Sequence, residues 1–179
     1  YFLEVFKEET IFGEQSAFFL VGGFMALWVV LYGITQANAY KLFKDMDEVN
    51  LKSSAIFWVL VSISVPLLLA TVTSIYEAQL MVLNYFLIIG LLVFGMVFAI
   101  NSSLHSFLIL KFTTVDRAPL DVGFYYMANA SGRLVGTLLS GLTYQIGGLS
   151  LCLFTTAIFL TAAAITTKFM PADLKRKTS

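Results

Sequence analysis

Between residues 17 and 37 there is no charged side chain, and most positions are apolar. A helix rising ~1.5 Å per residue needs about 20 such residues to cross ~30 Å of hydrocarbon, so this run is long enough to span a bilayer. Four more stretches fit the same requirement: 55–76, with Pro66 near its middle, 82–110, 121–145 and 149–167. The third is long enough to tilt or to project from the bilayer. The fourth departs from the pattern: it is rich in Gly, Tyr, Ser and Asn and carries Arg133.

Composition leaves little room for another reading. Only 12% of residues are charged and 59% are apolar, whereas soluble domains carry about 25% charge. The expected fold class is therefore an all-α integral membrane protein with five transmembrane helices. Residues 17–168 are expected to form the helical bundle. Residues 1–16 read as the end of a truncated span and an outer loop, and 169–179 as a cytoplasmic tail. Since the chain opens on Tyr1, with no basic n-region or cleavage site after it, it is expected to be a fragment lacking an N-terminal part, without a signal peptide.

A net charge of zero with no basic domain argues against nucleic-acid binding. The single cysteine, Cys152, cannot build a disulfide or a Cys-type zinc site, and the single histidine, His105, cannot build a multi-histidine one. No P-loop pattern occurs. Neither a metal nor a cofactor is expected.

Nine of the eleven Lys and Arg residues lie in the 38–54 loop, the 111–120 loop and the segment after residue 167. With five alternating spans these segments share one side, and the positive-inside rule makes that side cytoplasmic. The location expected is the inner (plasma) membrane, multi-pass, with a cytoplasmic C-terminus. The acidic group Glu8, Glu9 and Glu14 then reads as a solvated outer loop, and Tyr76 and Tyr85 fit an aromatic belt.

Arg133 is the first candidate for chemistry. Charge at a helix centre costs about 2.5–3.5 kcal/mol on insertion scales, so such a residue faces a partner, a pore or a ligand. Its planar, permanently charged fork suits a carboxylate or phosphate. The alternative is a structural ion pair or carbonyl clamp with a helix of the missing half. Tyr125, Asn129, Arg133 and Thr137 recur at spacing four, giving a polar stripe, beside a small-residue stripe of Ala128, Gly132, Gly136 and Ser140. The small stripe is expected to pack against another helix. Asn101 and His105 share a face of the third span. Asn101 is a candidate for a substrate or interhelical hydrogen bond. His105 is a candidate proton relay, or a helix-packing group. Asp121 reads as the cap of the fourth helix, with a proton-carrying role as the alternative. All eleven Asp and Glu residues fall in loops, tails or helix ends.

The stretch Asn101-Ser-Ser-Leu-His105-Ser, followed by Val122-Gly-Phe-Tyr-Tyr-Met-Ala-Asn129-Ala-Ser-Gly-Arg133-Leu-Val-Gly-Thr-Leu-Leu-Ser-Gly141, resembles the C-terminal half of major facilitator superfamily permeases. More narrowly, it is similar to the ArsJ-type organoarsenical efflux permeases, and Gly23-Phe-Met-Ala-Leu-Trp28-Val-Val-Leu-Tyr-Gly33 is similar to their eighth helix. The resemblance implies helices 8–12 of a twelve-helix carrier. It also implies efflux of 1-arseno-3-phosphoglycerate in arsenate resistance, with a functional link to glyceraldehyde-3-phosphate dehydrogenase. One departure is that residues Ala39-Tyr-Lys-Leu-Phe-Lys-Asp45 stand where many superfamily members have Gly-x-x-x-Asp-Arg.

The function expected is secondary transport of an organic anion, not enzyme activity. The alternatives are a carrier for another small solute, a membrane enzyme and a non-catalytic membrane subunit. The enzyme reading lacks a cluster of His, Asp or Glu at a membrane face. The subunit reading accounts for the glycines but not for Arg133 beside Tyr125 and Asn129.

Overall fold

A computed structural model describes residues 1–3, 14–75, 81–114 and 116–169. The expected outer loop around Glu8 and Glu9, the turn at 76–80 and the tail from 170 onward lie outside the described residues. Among the described residues the chain is all-helical, without strands. Four helices are long and apolar enough to cross a membrane, which makes this a membrane-embedded, multi-pass protein. They are α1 (Glu14–Ala39), α2 (Glu48–Ile75), α3 (Met81–Phe112) and α4 (Ala118–Lys168).

The last two expected stretches share α4, which runs for 51 residues but is not straight. Gly147 (φ −144°, ψ 22°) and Gly148 (φ 62°, ψ −157°) leave helical geometry. The second conformation is one that only glycine adopts readily. Thr143 Oγ1 lies 3.2 Å from Cys152 Sγ, although nine residues of straight helix would separate them by ~13.5 Å. The chain therefore folds back at the glycine pair, into a first arm (118–146) and a second arm (149–168).

The helices outrun the apolar stretches because hydropathy locates the hydrocarbon, not the helix end. α2 begins seven residues before the expected 55, where Asp47 Oδ1 accepts the Asn50 backbone N–H at 3.1 Å and caps the first turn. α4 likewise opens at Ala118, with a proline at its first or second position and Arg117 as the capping residue. Asp121 is thus not the cap expected for it. It sits in the first turn, where its Oδ2 accepts from Thr113 Oγ1 at 2.6 Å and its Oδ1 lies 3.9 Å from Arg117.

Packing is uneven. α2 packs against both α3 and α4, α1 packs against α3, and α1 does not touch α4. One buried cluster joins Phe43, Leu51, Ala55 and Leu104, and a second joins Leu69, Ala70, Leu87 and Leu153. Every buried residue of α4 lies in its second arm: Leu153, Ala157, Leu160 and Thr167. Ser150 Oγ donates to Thr73 Oγ1 at 2.9 Å, pinning that arm to α2. On the other side, Trp28 Nε1 donates to the Leu91 carbonyl at 3.0 Å, and the indole covers Gly95, the position on α3 that leaves room for it. The first arm of α4 is mostly exposed and stands away from α1, which leaves a cleft between the α1–α3 pair and the α4 arms.

Candidate functional site

The cleft widens into a cavity of about 500 Å³, a size typical of small-molecule sites. Of the residues singled out in the sequence, Arg133, Asn129, Tyr125, Asn101 and His105 line it. Thr137 and Asp121 do not. Thr137 is excluded by helix geometry: each step of four residues turns about 40° past a full circle, so it lies about 120° around the helix from Tyr125. Its hydroxyl is spent on the Arg133 carbonyl, at 2.9 Å. Asp121 is held at the helix start by Thr113 and Arg117.

Arg133 lies 15 residues from the start of the first arm, about 22 Å along it, and therefore near mid-membrane depth if that arm spans. Among the described residues its guanidinium has neither a carboxylate nor a hydrogen-bond partner. Across the cavity, Asn101 is 6% exposed and its Oδ1 is fully buried without a donor. An unanswered acceptor inside a membrane protein is costly.

One of the polar residues ties two helices together, and a second lies between helices. Ser106 Oγ donates to the Ser102 carbonyl at 2.9 Å, which commits its proton, so Tyr125 Oη donates to Ser106 Oγ at 2.6 Å. Tyr125 thereby fastens the first arm to α3, and it faces the cavity with an acceptor oxygen. His105 Nδ1 lies 2.9 Å from the Asn101 carbonyl, which can only accept, so the proton sits on Nδ1. Its Nε2 faces Thr167 Oγ1 at 3.3 Å, and that hydroxyl donates to Ala163 O at 2.8 Å. With both protons committed in this way, Nε2 stands beside the second arm without a hydrogen bond to it.

Five cavity residues escaped the sequence reading: Tyr32, Gln36, Phe98, Leu160 and Ala163. Tyr32 and Gln36 are four apart in a run that is otherwise nearly all apolar, and that polar spacing was the available signal. Phe98 carried none. Tyr32 stacks on Trp28, with centroids 5.4 Å apart, and leans on Phe98 at 6.4 Å, making an aromatic wall opposite the polar stripe.

Among the described residues the small-residue stripe meets no helix. A Cβ built on Gly132 or Gly136 would meet nothing within 4 Å. Ala128 and Gly132 border the cavity, while Gly136 and Ser140 border its neighbour. Here the lack of side chains makes space and does not draw a helix close.

Arg133, Asn129 and Gln36 supply donors, Tyr125 supplies an acceptor, and no carboxylate lines the cavity among the described residues. The arrangement suits an anion. Comparison of the chain finds no match among protein-family models, curated proteins or solved structures.

Proposed function

We propose that this chain is part of a secondary transporter that exports an organic anion. In this reading the two arms of α4 cross the membrane separately, the chain makes five crossings, and these correspond to helices 8–12 of a twelve-helix major facilitator bundle. The basic 38–54 and 111–120 loops and the C-terminus then face the cytoplasm of the inner membrane. The carrying observation is Arg133, a fixed cation without a counter-charge among the described residues, lining a cavity at mid-helix depth. Carriers of this architecture hold their substrates near the bilayer midplane, between helices.

The resemblance in 101–141 supplies a specific compound to try, 1-arseno-3-phosphoglycerate, formed from arsenate by glyceraldehyde-3-phosphate dehydrogenase. Cells expressing the complete protein would be loaded with that compound or with benzoate, and the anion retained would be measured. The wild type is expected to lower retention of at least one of them. Arg133→Gln should abolish the effect at an unchanged membrane level, and Arg133→Lys, which keeps charge but loses the fork, should restore part of it. Equal export by wild type and Arg133→Gln would overturn the assignment of Arg133, and no export of either anion by the wild type would overturn the anion reading.

A further inference from the structure

The cavity around Arg133 is one half of a longer cleft. A second cavity of about 490 Å³ adjoins it and shares Phe98, Leu160 and Ala163 with it. The two halves differ in chemistry. The first holds Arg133, Asn129, Gln36 and Asn101. The second is walled by Trp28, Phe94, Phe159 and Leu139, with Gly136 opening its floor. Ser140 apart, its hydroxyls are already occupied: Thr143 donates to Leu139 O at 2.7 Å, Thr155 to Leu151 O at 2.8 Å and Thr156 to Cys152 O at 2.9 Å. The indole proton of Trp28 is likewise committed to Leu91 O. The second half offers a ligand ring faces and methyl groups, and few free donors.

From this division we infer, on the basis of the anion-carrier reading, that the substrate class is an amphiphilic monoanion: an acidic head at Arg133 joined to an aryl or alkyl tail lying over Gly136 between Trp28, Phe94 and Phe159. Among the described residues one fixed cation lines the cleft, and it balances one negative charge. A compact polyanion such as a phosphorylated sugar acid would leave the aromatic half of the cleft unfilled. The open space over Gly136 follows the same logic: the ligand tail occupies the volume that a side chain there would take.

The test uses the complete protein in phosphatidylcholine nanodiscs, with Trp58→Phe so that Trp28 is the tryptophan of this chain that reports on the cleft. The probes are 4-phenylbutyrate, acetate as the head alone and 4-phenylbutanol as the tail alone. Phenylbutyrate should bind at least about tenfold more tightly than either, since a buried phenyl group contributes that much or more. Gly136→Leu should weaken phenylbutyrate about tenfold and leave acetate unchanged, the retained acetate binding also reporting a folded protein. Should that variant fail to fold, Thr156→Leu fills the same compartment and carries the same expectation. Arg133→Gln should weaken both acids. Equal binding of acetate and phenylbutyrate, or no effect of either filling variant, overturns the tail compartment while the anion reading stands. Unchanged binding of both acids to Arg133→Gln overturns the anion reading itself. A tenfold loss of phenylbutyrate affinity in discs containing phosphatidylglycerol would assign the cleft to an anionic lipid and overturn the solute proposal.

Discussion

The Tyr125 hydroxyl stands 2.6 Å from Ser106 Oγ and ties the exposed first arm of α4 to α3 beside the cavity. Interhelical hydrogen bonds of this kind contribute about 0.6 kcal/mol on average in membranes, with about 1.7 as the upper end. Tyr125→Phe and Ser106→Ala should each lower the thermal midpoint in detergent, and the double variant should lose less than the sum. Additive losses would mean that the two hydroxyls do not act on each other.

Glycines on α3 and α4 should respond oppositely to the same substitution. A Cβ on Gly95 would lie 2.6 Å from Trp28 Nε1 and 2.8 Å from its Cε2, against a rigid ring already held by Leu91. Gly95→Ala should therefore destabilise by about 1–3 kcal/mol, the usual cost of overpacking. Gly132→Ala meets nothing within 4 Å and gains helix propensity, so its midpoint should be unchanged or slightly raised. Thermal melts of the two variants side by side decide the matter.

Gly148 has φ 62° and ψ −157° at the fold-back of α4. Side chains with a Cβ rarely adopt that conformation, at a cost of about 1–3 kcal/mol. Gly148→Ala should loosen the contact between the arms, which thiol chemistry can follow. Cys152 Sγ, held against Thr143 Oγ1 and the Ser140 carbonyl at 3.4 Å, should react faster with a small maleimide in that variant. An unchanged rate would mean that the turn tolerates a side chain.

Sidedness is open to direct measurement. In a Cys152→Ser background of the complete protein, Lys44→Cys lies in the basic loop between α1 and α2, and Gln145→Cys lies just before the glycine turn. A membrane-impermeant maleimide added outside should label the second and not the first. The reverse pattern would invert the proposed orientation.

Hydropathy made the helices legible, and the gap it left between residues 145 and 149 brackets the place where α4 turns back at Gly147 and Gly148. Helix ends were less so, because Asp47 and the proline at the start of α4 continue helices into water where apolar patterning is silent. The polar half of the cavity was legible in the spacing of Tyr125, Asn129 and Arg133. The aromatic half was not: Trp28, Phe94 and Phe98 look like any lipid-facing residues until α1 is seated on α3. For the small stripe, spacing reports which residues share a face but not whether that face meets a helix or a void.

The isolation of Arg133 has an electrical consequence. In the transport reading the unloaded site carries one uncompensated positive charge, and a bound monoanion cancels it. Whatever movement carries that arginine through the membrane field is then driven by voltage when the site is empty, by up to about 2.3 kcal/mol per 100 mV for a full crossing, and is nearly indifferent to voltage when it is loaded. The membrane potential would set the pace of the return stroke, not of the export stroke.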